Sequence, residues 1–208
     1  MRMKMPEIQI GARGSTAAEF ALVLPLMLIL ILGLIDAGRF VWTCNRAEKA
    51  TQMGARFAIA TDVIPKGLIN YSFSVSDGIP QGGSISQDKF GGASCISTDN
   101  ASAATSASCS CTGTCPDLGE ADVNAFNNIL RRMRDFMPEL KADQVQIDYA
   151  YSGLGYAGDP NGMDVAPIVK VSLRNIGFNA GFLPGLSIDL PAFTAALTIE
   201  DGQGTVAN

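Results

Sequence analysis

The sequence predicts an α+β fold, with one long amino-terminal helix packed on a small domain that holds one further helix, an antiparallel sheet and a disulfide-bonded loop. Three observations carry this prediction. Residues 15–60 keep helical character throughout, apolar first and charged later. Residues 120–138 repeat apolar side chains at helical spacing, and three later segments alternate apolar and polar residues with Gly and Pro between them. A hydrophobic share of 47% supplies enough apolar surface for a core in a chain of 208 residues.

The first helix opens with charge-free apolar residues from Phe20 through Ile35, whereas Arg39, Arg46, Glu48, Lys49 and Arg56 decorate its second half. Residues 20–35 therefore suit lipid, and the remainder suits water or protein. At about 1.5 Å per residue, residues 15–60 reach roughly 65 to 70 Å against a hydrocarbon core of about 30 Å, so the helix projects well beyond a membrane. Pro25 lacks a backbone donor and is expected to kink or loosen the span. Phe40, Thr43, Ala47, Ala50, Gly54, Phe57 and Ala58 form a narrow stripe that is expected to pack on the chain's own domain.

Residues 1–14 are basic on balance and carry no apolar region of their own, unlike a secretory signal. The small residue Gly14 precedes the greasy run instead of following it. Cleavage there would release a leader and leave the membrane segment on the mature chain; the alternative is an uncleaved anchor with a flexible tail. Charges flank both ends of the span, so their count does not orient it. Glu19 is costly inside a membrane helix. Its spacing from Thr16 suits a capping box, and a carboxylate in the first turn suits the helix dipole. The functional alternative is that Glu19 neutralises a positive group on a neighbouring subunit.

The run Arg13-Gly14-Ser15-Thr16-Ala17-Ala18-Glu19-Phe20-Ala21-Leu22, followed by Pro25, Gly38-Arg39 and Met53-Gly54-Ala55-Arg56, resembles the amino-terminal signature of TadE-like pseudopilins. These are minor pilins of the tight-adherence (Tad/Flp) branch of type IV pili. The resemblance implies a pilin-like transmembrane helix and cleavage by a prepilin peptidase between Gly14 and Ser15, with Glu19 fifth and Phe20 sixth in the mature chain. It further implies that Glu19 pairs with the new amino terminus of an adjacent subunit. The implied partners are other minor pilins, the major Flp-type pilin and an inner-membrane assembly platform. The implied topology is a single pass through the bacterial inner membrane, amino terminus cytoplasmic and residues 61–208 periplasmic or extracellular. A buried carboxylate and ammonium stabilise one another only when they meet closely, so such pairing would check register during assembly.

Beyond Thr61, Pro65 ends the helix, and Tyr71 to Val75 alternates as a short strand would. Residues 76–116 are rich in Gly, Ser, Ala and Thr and form a loop that needs crosslinks for order. Within it, Cys95, Cys109, Cys111 and Cys115 lack paired Cys-x2-Cys knuckles, which favours disulfides over zinc outside the cytoplasm. Ring strain disfavours a Cys109–Cys111 link and leaves two connectivities open. Cys44 stays over, as a small packing residue or an intermolecular thiol. Glu120 to Pro138 forms the second helix, with Val123, Phe126, Ile129, Leu130, Met133 and Met137 on one face and Arg131, Arg132 and Arg134 toward its end. Residues 144–151, 168–176 and 193–199 form the sheet.

No catalytic residue, cofactor or metal is called for. The chain has no histidine, which removes the usual general base and the commonest metal ligand. Loss of residues 1–14 would move the net charge from −5 to −7, which argues against nucleic acid as a partner. Gly153-Leu154-Gly155-Tyr156-Ala157-Gly158 spells a dinucleotide fingerprint, yet Asp159-Pro160-Asn161-Gly162 follows as a turn instead of a helix. Asp159, Asn161 and Asp164 offer oxygens to calcium, but the closing glutamate of such a loop is absent. The leading expectation is a structural component of a pilus; a surface-binding module built on the crosslinked loop is the alternative.

Overall fold

The computed structural model describes residues 13–160, 162–182 and 185–200. Helix α1 spans Arg13–Ala58 and is continuous through Pro25. With no acidic residue in the first turn of the described helix, Glu19 sits in the second. Two compact units follow from the contacts: α1 up to Trp42 together with Phe178–Ile188, and Thr43–Gly177 together with the described residues from Asp189 onward.

In the larger unit, α2 (Lys66–Ile69) and α3 (Phe73–Ser76) are single turns, followed by β1 (Gly92–Ile96), β2 (Ser108–Cys111), α4 (Val123–Arg134), β3 (Val145–Ala150) and β4 (Ile168–Leu173). Two short strands come next, β5 (Gly177–Asn179) and β6 (Ser187–Asp189), and β7 (Thr194–Thr198) closes the series. A 5-stranded sheet runs in the order β2-β1-β3-β4-β7 with every pair antiparallel. Alternation explains its two faces. Val145, Ile147 and Tyr149 of β3 and Val169, Val171 and Leu173 of β4 are buried, while Gln146, Asp148 and Lys170 lie on the other side.

The core face receives α4 and the second half of α1. Asp122 caps α4 by accepting from the amides of Asn124 (2.8 Å) and Ala125 (3.1 Å). Phe126, Ile129, Leu130 and Met133 of α4 are buried, as are Ala47, Ala50, Gly54 and Ala58 of the expected α1 stripe. Gly54 is required by this packing: a Cβ there would stand 2.6 Å from Met133 Cγ and 3.4 Å from Val171 Cγ1. Arg46 fastens α1 further by donating from Nε to the Phe136 carbonyl (3.0 Å) and pairing with Glu139 (2.7 Å). The hydroxyl of buried Tyr149 accepts from the Ile64 amide (3.1 Å) just past the helix end.

Two expectations need correction. Tyr71 to Val75 is not a strand: Phe73 starts the turn α3, its amide donates to the buried Asp164 carboxylate (2.7 Å), and Val75 points to solvent at 83% exposure. Nor is 76–116 a plain loop. It contains β1 and β2, and Asp99 knots the connection between them by accepting from the amides of Thr105 (2.6 Å) and Ser106 (3.0 Å).

Candidate functional site

The smaller unit exposes a continuous apolar surface. From Phe20 to Ile35 no charge interrupts α1, and its large side chains are open to the surroundings on every side, including Leu22 (80%), Leu26 (74%), Leu30 (65%) and Leu34 (66%). A helix apolar all the way round and buried by nothing of its own suits a membrane or a bundle of other helices. The segment is long and apolar enough to cross a membrane, with mean hydropathy 2.6 over its window. Glu19 and Phe20 are both exposed at the start of this surface. The Gly14–Ser15 bond lies in the first turn of α1, and residues 1–12 of the expected leader fall outside the described residues.

At the other end of the apolar run stands a residue the sequence did not single out. Asp36 is 4% exposed, directly after Ile35, and its carboxylate accepts from the backbone amides of Gly181 and Phe182 (2.9 Å each). Arg39, one turn on, donates to the same carboxylate at 3.0 Å and places its guanidinium over the Phe178 ring, 5.6 Å from the centroid. Phe40 meets that ring edge-on at 5.5 Å. The strands β5 and β6 pair into a ribbon, and this ribbon is clipped to α1 by Asp36. A Cβ at Gly181 would meet the Arg39 guanidinium, the mobile end of a half-exposed side chain. The only sequence signal was an acidic residue three before an arginine at the end of a greasy run.

The four clustered cysteines form Cys95–Cys109 and Cys111–Cys115, which settles the connectivity left open above. Register explains the first bond, because Cys95 and Cys109 are direct partners across β1 and β2, with Cα atoms 4.1 Å apart. The second closes the turn beyond β2, the exposed edge strand of the sheet. Cys44 is a free thiol, half-buried on α1. Electrostatics around this edge is that of a braced surface. Hydrogen bonds from the Ser106 and Thr105 amides hold the Asp99 carboxyl below its usual range, and Lys89, followed by Tyr71, does the same for Asp77.

Other candidates from the sequence resolve into structural roles. Arg132 pairs with Asp135 (3.1 Å), Arg131 bonds Asn128 (3.2 Å), and Arg134 bonds the Leu140 carbonyl, so the arginines brace the end of α4. Gly153, Gly155 and Gly158 all take positive φ in a turn-rich segment that opens no helix. Asp164 spends its oxygens on the amides of Phe73 and Asp159.

No curated protein and no solved structure matches the chain. Residues 14–56, 43 of the 208, match the family model described as TadE-like protein, so this stretch is similar to TadE-like proteins and supports a TadE-like protein of the Tad pilus system.

Proposed function

We propose that the chain is a minor pilin or pseudopilin of a Tad pilus, anchored in the bacterial inner membrane through residues 20–35 with its amino terminus cytoplasmic. A prepilin peptidase removes the leader after Gly14, and Glu19 then pairs with the fresh amino terminus at Ser15 of an adjacent subunit as the helices bundle. The single observation that carries this is a helix apolar on every side from Phe20 to Ile35, with a carboxylate at its start, running unbroken into an α+β unit. Amino-terminal sequencing of the protein from membranes tests the reading. The expected first residue is Ser15; Met1, or a start beyond Ile35, overturns it.

A second reading is favoured by the crosslinked edge. Strand β2 is exposed, and its flanks are fixed by two disulfides, which suits surface adherence or contact with another pilin. Because β1 belongs to the sheet, deleting the whole region would break the unit, so the test is Ser108→Lys with Ser110→Lys on the outer strand. Lost adherence with normal fibres supports binding, and lost fibres support assembly.

A further inference from the structure

The β5–β6 ribbon has no core to fill, yet it presents Phe182 (48%), Leu186 (44%) and Ile188 (40%) outward. Residues 177–188 contain no charged side chain. Such a tip would be a poor choice for a surface bathed in water.

Its attachment to α1 says where it sits. Phe178 packs against Phe40, while Gly181 and Phe182 bond Asp36, so the chain from β5 travels one helical turn back toward the apolar run. Asp36 follows the last apolar residue, Ile35, by one position, about 1.5 Å along the helix axis. The clip therefore holds Gly181 and Phe182 at the level where the span leaves hydrocarbon. An apolar cleft of about 200 Å³ continues from there into the last turn of the run, lined by Gly33, Ala37, Phe40, Phe178, Leu186 and Ile188 among others. Trp42 (61% exposed) and Arg39 lie just beyond, an aromatic and a cation at the height where headgroups would be.

We propose that the β5–β6 ribbon is a second membrane contact, a wedge whose Phe182, Leu186 and Ile188 enter the interfacial layer of the same bilayer that α1 crosses. This rests on the membrane reading above and goes beyond it. Asp36 is the positioning residue: by accepting from the Gly181 and Phe182 amides it holds this part of the ribbon at the surface. The bilayer is the occupant because the ribbon's apolar face is continuous with the apolar surface of the span and lies at its end.

Depth-dependent fluorescence quenching tests this on the full chain in phosphatidylethanolamine and phosphatidylglycerol vesicles, with Trp42→Phe as background. A Phe182→Trp reporter should be quenched by lipids brominated near the headgroup end of the acyl chain and should emit to the blue of a solvated indole. A Leu28→Trp reporter in the same background should be quenched most by bromine deeper in the chain. Quenching of Leu28→Trp without Phe182→Trp overturns the wedge and leaves the span standing; absence of both overturns the two together. Protection of Phe182→Trp from aqueous acrylamide without lipid quenching would mean that a second copy covers the tip, which also overturns the proposal. Adding Asp36→Ala should reduce the Phe182→Trp quenching while sparing Leu28→Trp, and undiminished quenching would refute the positioning role.

Discussion

Gly54 offers a prediction whose sign can be worked out beforehand. Replacing glycine by alanine inside a helix ordinarily stabilises by about 0.8 to 1 kcal/mol, and a newly buried methyl adds about 0.8. Against this, the new Cβ would stand 2.6 Å from Met133 Cγ and 2.9 Å from its Sδ. Those separations fall roughly 1 Å inside ordinary contact. Cγ lies too near the backbone of α4 to swing aside freely, Met133 is fully buried, and Val171 closes the space beyond. The overlap therefore costs toward the upper end of about 1 to 3 kcal/mol, and Gly54→Ala should lose about 1 kcal/mol net. For a domain of this size that lowers Tm by about 2 to 4 °C. Thermal unfolding followed by circular dichroism on the detergent-solubilised chain reads it. In a Met133→Ala background, itself destabilised by about 2 to 5 kcal/mol, the clash is gone and Gly54→Ala should become stabilising. Equal stabilisation in both backgrounds would refute the close approach of α1 and α4.

Three further outcomes are expected. By loop length alone, Cys95–Cys109, closing a separation of 14, contributes about 3 kcal/mol, and Cys111–Cys115, closing a separation of 4, about 2. Denaturant titration of Cys95→Ser/Cys109→Ser should show the greater loss, and the reverse order would mean that native contacts dominate. Asp99 is held below its ordinary value of 3.8 when folded, so its contribution is complete above that value and disappears as pH falls through the folded one. Tm should therefore drop on acidification below about pH 4, and Asp99→Asn should flatten that limb; an unchanged acid limb counts against the knot. Glu19→Ala should leave leader removal intact on a gel while abolishing fibres by electron microscopy, and normal piliation would remove the pairing argument.

Strands β3 and β4 were legible because large β-branched and aromatic residues alternate there with polar ones over a half-buried sheet, and β7 because Phe193 and Ile199 flank it at the same period. Strands β1 and β2 were not, for apart from Ile96 the stretches Gly92-Ala93-Ser94-Cys95-Ile96 and Ser108-Cys109-Ser110-Cys111 are built from small residues whose pattern says little about faces. What orders them is remote: register against β3, a cross-strand disulfide, and Asp99 collecting amides several residues on. The failed strand at Tyr71 has the same origin. Its alternation is genuine, but the Phe73 amide is claimed by Asp164, 91 residues away, and a single buried hydrogen bond to a carboxylate outweighs a short period-two pattern.

The two carboxylates bracketing the apolar run show why the site was only half readable. Glu19 and Asp36 look alike in sequence, each an acid at an edge of a greasy helix, and in hydrocarbon each would carry a similar penalty. Their answers differ in reach. Asp36 is neutralised by groups of its own chain, because a ribbon from residues 177–189 folds back to offer two amides and Arg39 adds a cation. No short-range signal announces a partner so distant in sequence. Glu19 lies at the end where a processed chain would carry a new ammonium, so its proposed partner belongs to another subunit. The clip at Asp36 is thus a contact within one chain, whereas the pairing proposed for Glu19 is a contact between subunits. Asp36→Ala should accordingly perturb the isolated protein, because it removes the acceptor of the Gly181 and Phe182 amides, whereas the effect proposed for Glu19→Ala is read on the fibre.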